Sequence, residues 1–131
     1  MNLEAPKATV NKSQQEVFDF LSDVKNFESL MPESISKFEV LDEGKFLFAL
    51  KGMPEIVLKK KEVDEPSNIV LGAAGGSLDF ALNIDIDEVS NNVSEVLLSF
   101  SGNFNTMMAM MIKKPITNFI QTLSDNLPEA V

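Results

Sequence analysis

The sequence predicts an α+β fold in which a curved, antiparallel, seven-stranded sheet wraps around one long C-terminal helix, with two short helices after the first strand. Three observations carry this expectation. From Asn105 to Val131 the apolar residues Met108, Ile112, Ile116, Phe119, Leu123 and Leu127 recur at steps of three and four, which puts them on one face of a helix. Ahead of that stripe, short apolar runs alternate with polar residues and are parted by turn-forming Gly, Pro, Asn and Asp. After the first run, Ser13 and Glu16 stand three apart, the spacing of a capping box in which hydroxyl and carboxylate each satisfy the other residue's backbone amide. A lone amphipathic helix behind a meander of strands must bury its stripe against the sheet.

Taken in order, the first strand runs from Leu3 to Asn11. The capped helix carries Val17, Phe18 and Leu21, and a second turn carries Val24, Phe27 and Met31 before Pro32 stops it. Six strands follow, over 36–41, 45–51, 55–63, 68–73, 78–87 and 93–104, joined by turns too short for anything but antiparallel pairing. In 78–87, Leu78, Phe80, Leu82, Ile84 and Ile86 alternate with Asp79, Ala81, Asn83, Asp85 and Asp87, so one face is buried and the other wet. The inward set is Phe46, Phe48 and Leu50 in the third strand and Val96, Leu98, Phe100 and Phe104 in the last. Asp79, Asp85 and Asp87 read as solvated carboxylates, because calcium loops gather oxygens from a tight turn. With 131 residues and no linker or repeat, one domain spanning 1–131 is expected.

Composition narrows the function. A formal charge of -9 and a pI near 4.4 argue against nucleic acid and anionic surfaces as general partners. The chain contains no Arg, His, Cys, Tyr or Trp, which removes the neutral-pH proton shuttle, thiol nucleophiles and phenol donors. No catalytic residue, cofactor or metal site is expected. The basic run Lys59, Lys60 and Lys61 falls on a strand and reads as a solvated edge. Gly72, Gly75 and Gly76 are followed by a strand rather than a helix and lack a Lys-Ser/Thr ending, so they read as a hairpin at a cavity mouth, not as a phosphate loop. No apolar run has the length of a membrane span, and a cytoplasmic protein is expected.

The element order and its local text resemble the helix-grip fold of the START-like, or SRPBCC, superfamily. The segment from Ser13 to Asp23, followed by Asn26, Phe27, Met31 and Pro32, looks like that superfamily's first helical hairpin. Glu62 to Pro66 looks like a hairpin between two of its strands, and Gly102 precedes the helix as in the carbon-monoxide dehydrogenase G-like branch. The resemblance implies a cavity between sheet and helix that holds a lipid, quinone, polyketide or similar apolar molecule.

The residues themselves leave two readings open. Met107, Met108, Met111 and Ile112 face Phe46, Phe48, Phe80, Leu82, Leu98 and Phe100, either around a ligand space, to which unbranched methionine adapts well, or as a filled core. In the second case the acidic surface would serve a protein partner. Lys60 and Glu62 share a strand side with Ile56 and Leu58, and would pair inside the cavity if that side faces in. A cyclase- or dehydratase-type enzyme built on that pair is a third reading. Pro115 is expected to kink the long helix, separating its Met-rich half from the half that carries Phe119 to Leu127.

Overall fold

The computed structural model describes residues 1–53, 55–74 and 79–131. Among them the elements run β1 (Asn2–Glu4), β2 (Ala8–Val10), α1 (Gln14–Ser22), a 3-10 helix (Val24–Leu30), β3 (Ile35–Asp42), β4 (Lys45–Leu50), β5 (Ile56–Asp64), β6 (Asn68–Ala73), β7 (Asp79–Ser90), β8 (Val93–Asn103) and α2 (Thr106–Ala130). Every strand pairing is antiparallel, in the order β1-β8-β7-β6-β5-β4-β3, with β2 also on β8.

The expected seven strands are eight, because the first one is broken. Pro6 has no N–H for the ladder, and β1 pairs with Ser99 to Ser101 while β2 pairs with Ser94 to Val96 of the same β8. The gap is bridged from outside the sheet: buried Ser124 of α2 donates its hydroxyl to the Pro6 carbonyl at 2.8 Å. The second short helix is a 3-10 helix, held at its start by Asp23, whose carboxylate accepts from the Lys25 amide at 3.1 Å.

The capping box forms as expected. The Ser13 hydroxyl accepts from the Glu16 amide at 3.1 Å and the Ser13 amide donates to Glu16 Oε1 at 3.2 Å. The Ser13 backbone bond, then the hydroxyl, holds the Glu16 carboxyl below its ordinary range. Asn105 caps α2 by accepting from the Met108 amide at 2.8 Å. Pro115 lies inside α2, which runs unbroken from Thr106 to Ala130 as the single long helix expected.

The core lies between the sheet's concave face and α2. Ile116, Phe119, Ile120, Leu123 and Leu127 are buried against Phe46, Phe48, Leu58, Leu71, Ile84 and Leu98. On the outer face Asp85 accepts from Asn68 at 2.8 Å and from Asn83 at 2.9 Å, so its oxygens are taken up in a side-chain ladder. Among the described residues no cluster of three or more carboxylates is placed to hold a metal.

Two expectations follow. Leu123 is 1 % exposed, so Leu123→Ala should cost about 2–5 kcal/mol in chemical denaturation, whereas Met110→Ala, at a site 78 % exposed, should change stability by less than about 0.5 kcal/mol. Because the folded Glu16 carboxyl titrates below its unfolded value, its contribution is complete above the ordinary glutamate range and is lost as pH falls through the folded value. Glu16→Gln should therefore reduce the acid-side fall in Tm, measured by melts across a pH series.

Candidate functional site

The N-terminal half of α2 stands off the sheet, and beneath it lies a chamber of about 420 Å³. Helical spacing builds one wall: Met108, Ile112 and Ile116 are four apart, so they stack along a single side of α2, with Met111 and Pro115 one position round. The sheet supplies Ile56 from β5, Phe80 from the start of β7 and Phe100 from the end of β8, and Phe104 closes the span between β8 and α2. Phe80, Phe100 and Phe104 form a ladder of offset rings with centroids 5.6 and 6.2 Å apart. The turn after β4 brings Lys51, Gly52 and Met53 to the lip. Gly52 has φ +83°, a left-handed conformation that side chains resist, so this turn requires glycine.

Next to the chamber is a second, more polar cleft of about 320 Å³, lined by Pro32, Ser34, Leu50, Lys51, Lys114, Pro115, Asn118, Phe119 and Thr122. Lys51 and Pro115 border both spaces. An apolar room thus opens beside a vestibule carrying two ammonium groups, an amide and two hydroxyls.

The expected site residues divide. Phe80, Phe100, Met108, Met111 and Ile112 line the chamber. Phe46, Phe48, Leu82 and Leu98 do not; they are packed in the core. Phe46 stacks on Phe27 and Phe38 at 5.3 and 5.4 Å, and Phe48 stacks on Phe119 of α2 at 4.8 Å, so these rings pack against one another rather than around open space. Leu98 pairs with Ile84 and Leu82 with Phe100, and both leucines are 2 % exposed within the core cluster. Met107 is 74 % exposed and does not line the chamber, although it stands one turn before Met111 on the same row of α2.

Lys60 and Glu62 do not pair in the chamber, and the other reading of this segment, a strand end emerging into water, fits exposed Glu62. The register slips between them, a β-bulge that puts Lys60 opposite buried Leu71 but Glu62 opposite Val70, on the other face. Lys60 reaches instead to the α1 corner, donating to the Ser22 carbonyl at 2.9 Å, beside Asp19, Asp23 and Glu43. Glu62 is exposed. Lys61, on the bulge, lies over Gly72, where an added Cβ would stand 2.7 Å from its Cγ, so Gly72 serves strand packing. The expected hairpin at the cavity mouth involves Gly75 and Gly76, which lie outside the described residues.

Sequence reasoning left Lys51, Met53, Ile56, Phe104, Pro115 and Ile116 out of the site. Ile116 and Phe104 carried a signal, since Ile116 continues the four-residue step from Met108 and Phe104 belongs to the inward set of its strand. Lys51 and Met53 carried none, because a turn's position against a distant helix is a tertiary fact.

In sequence, no family model and no curated protein matches the chain. In structure the likeness is extensive. Norcoclaurine synthase from Thalictrum flavum, solved with dopamine and hydroxybenzaldehyde, superposes with a TM-score of 0.76 at 13% identity, covering 98% of this chain and 84% of that one. A conserved protein from Geobacillus kaustophilus gives 0.63 at 15% identity, covering 99% and 97%. The di-domain ARO/CYC BexL from the BE-7585A biosynthetic pathway gives 0.67 at 12% identity over 97% of this chain and 46% of that one. The chain therefore shares the helix-grip fold of these structures.

Proposed function

We propose that the protein is a single START-like domain that binds and carries an apolar small molecule of lipid, quinone or polyketide type in the chamber under α2, without transforming it. The observation that carries this reading is the chamber itself: about 420 Å³, within the range of small-molecule sites, and walled by phenylalanine, methionine, isoleucine and proline. Among the described lining residues Lys51 is the one titratable group. General acid–base work needs a proton donor or acceptor within hydrogen-bond reach of a bound molecule, so this lining supports binding over transformation. Norcoclaurine synthase was solved with two small aromatic molecules, which supports small organic molecules as the class such a fold accommodates. Among the described residues no helix is long and apolar enough to cross a membrane.

A second reading draws on the methionines at the rim. Met107, Met110 and Met111 are 74, 78 and 67 % exposed, an apolar surface that would suit a protein partner.

One experiment separates the two. A titration with the neutral fluorophore N-phenylnaphthylamine should show saturable binding to the wild type. Met108→Trp should fill the chamber and weaken that binding by about tenfold or more, with a stability change below about 1 kcal/mol because the new ring enters open space. If the wild type binds no probe and Met108→Trp destabilises by about 1–3 kcal/mol, as overpacking does, the carrier reading fails and the interaction module replaces it.

A further inference from the structure

The distribution of charge at the chamber mouth specifies the cargo further. The chain carries 20 acidic against 11 basic residues, yet no Asp or Glu stands between Glu95 and Asp125, the stretch that supplies most of β8 and the whole chamber wall of α2. The β4 strand and the turn that follows it, from Gly44 to Met53, are likewise free of acids. The charges these two segments bring to the lip are Lys51 and Lys114.

Among the described residues neither ammonium has a carboxylate partner: the ion pair present there is Lys37 with Glu55 at 3.1 Å. Lys51 is fixed through its backbone, its amide donating to the Ser34 carbonyl at 2.8 Å, while its side chain borders both the apolar chamber and the vestibule. Asn118, Thr122 and Ser34 add neutral hydrogen-bonding groups on the vestibule side. An apolar room that ends at two unpaired cations fits a molecule with an apolar body and an anionic end.

We propose that the cargo is an anionic amphiphile, its apolar part in the chamber and its carboxylate or phosphate head in the vestibule between Lys51 and Lys114. This rests on the carrier reading above and adds to it the chemical class of the ligand. The head stays partly hydrated there, since both lysines reach solvent, so the two cations act by selecting anionic cargo while burial of the chain provides most of the affinity.

The test compares dodecanoate, dodecyl phosphate and dodecanol, each below its micelle-forming concentration, by displacement of N-phenylnaphthylamine. The wild type should prefer an anion to the alcohol by about threefold to tenfold, and the preference should shrink in high salt. Whether dodecanoate or dodecyl phosphate binds more tightly distinguishes the two head groups. The double variant Lys51→Gln with Lys114→Gln should bring the ratio of anion to alcohol affinity close to one, whereas Lys12→Gln, away from both cavities, should leave the ratio unchanged. Equal binding of alcohol and anions by the wild type overturns the head-group inference and leaves the carrier reading standing. Binding of none of the three, nor of the probe, overturns both.

Discussion

Burial of the C-terminal half of α2 is the constraint on which the rest of the fold depends. Ile120, Leu123 and Leu127 are at most 1 % exposed, and each such side chain contributes about 1.5–3 kcal/mol when taken fully out of water. Phe119 stacks on Phe48 across the interface. Two polar bonds fix the helix's position along the groove: Ser124 to the Pro6 carbonyl at 2.8 Å and the Asn126 amide to the Leu30 carbonyl at 3.0 Å. They join α2 to the break between β1 and β2 and to the end of the 3-10 helix, irregular places where a backbone carbonyl can accept from a side chain. The irregularities of the N-terminal region are thus the anchoring points of the C-terminal helix.

Anchoring at one end lets the other stand off. The phenylalanines divide accordingly: Phe27, Phe38, Phe46, Phe48 and Phe119 interlock where the helix is held, while Phe80, Phe100 and Phe104 face open space where it is not. Magnitudes decide what kind of space this is. A sealed void costs about 24 cal/mol per Å³, so a volume of about 420 Å³ would consume roughly 10 kcal/mol, as much as the whole stability of an ordinary domain. The space must therefore exchange with solvent or cargo. Its half-buried and exposed methionines form a rim that repacks at little cost.

Much of the fold was legible because its signals are local. The stripe from Met108 to Leu127 follows from helical period, the alternation in β7 and β8 from strand period, and the start of α1 from two residues three apart. The site was legible only where those same periods reached it, as at Phe80, Phe100, Met108 and Ile112. It was misread where a single residue resets the pattern. The bulge at Lys61 moves Glu62 to the opposite face from Lys60, and no propensity marks it. Pro6 splits a strand that alternation alone would have kept whole. Phe46 and Phe48 show the remaining limit: alternation states which way a ring points, but not whether a helix 25 residues long lies close above it or stands away.

Charge adds a last constraint that composition concealed. A net charge of -9 describes the whole surface, but at physiological ionic strength fields decay over a Debye length of about 8 Å. A bound head group in the vestibule therefore responds to Lys51, Lys114 and the groups beside them far more than to carboxylates on the distant sheet face. An acidic chain is repelled by anionic polymers, while an acid-free stretch around one mouth preserves a local site of the opposite sign. Some of the acids are engaged elsewhere: Asp85 is tied into the outer ladder with Asn68 and Asn83, Glu16 into the α1 cap, and Glu55 to Lys37. Composition describes the charge of the molecule as a whole, while Lys51 and Lys114 set the charge of the vestibule.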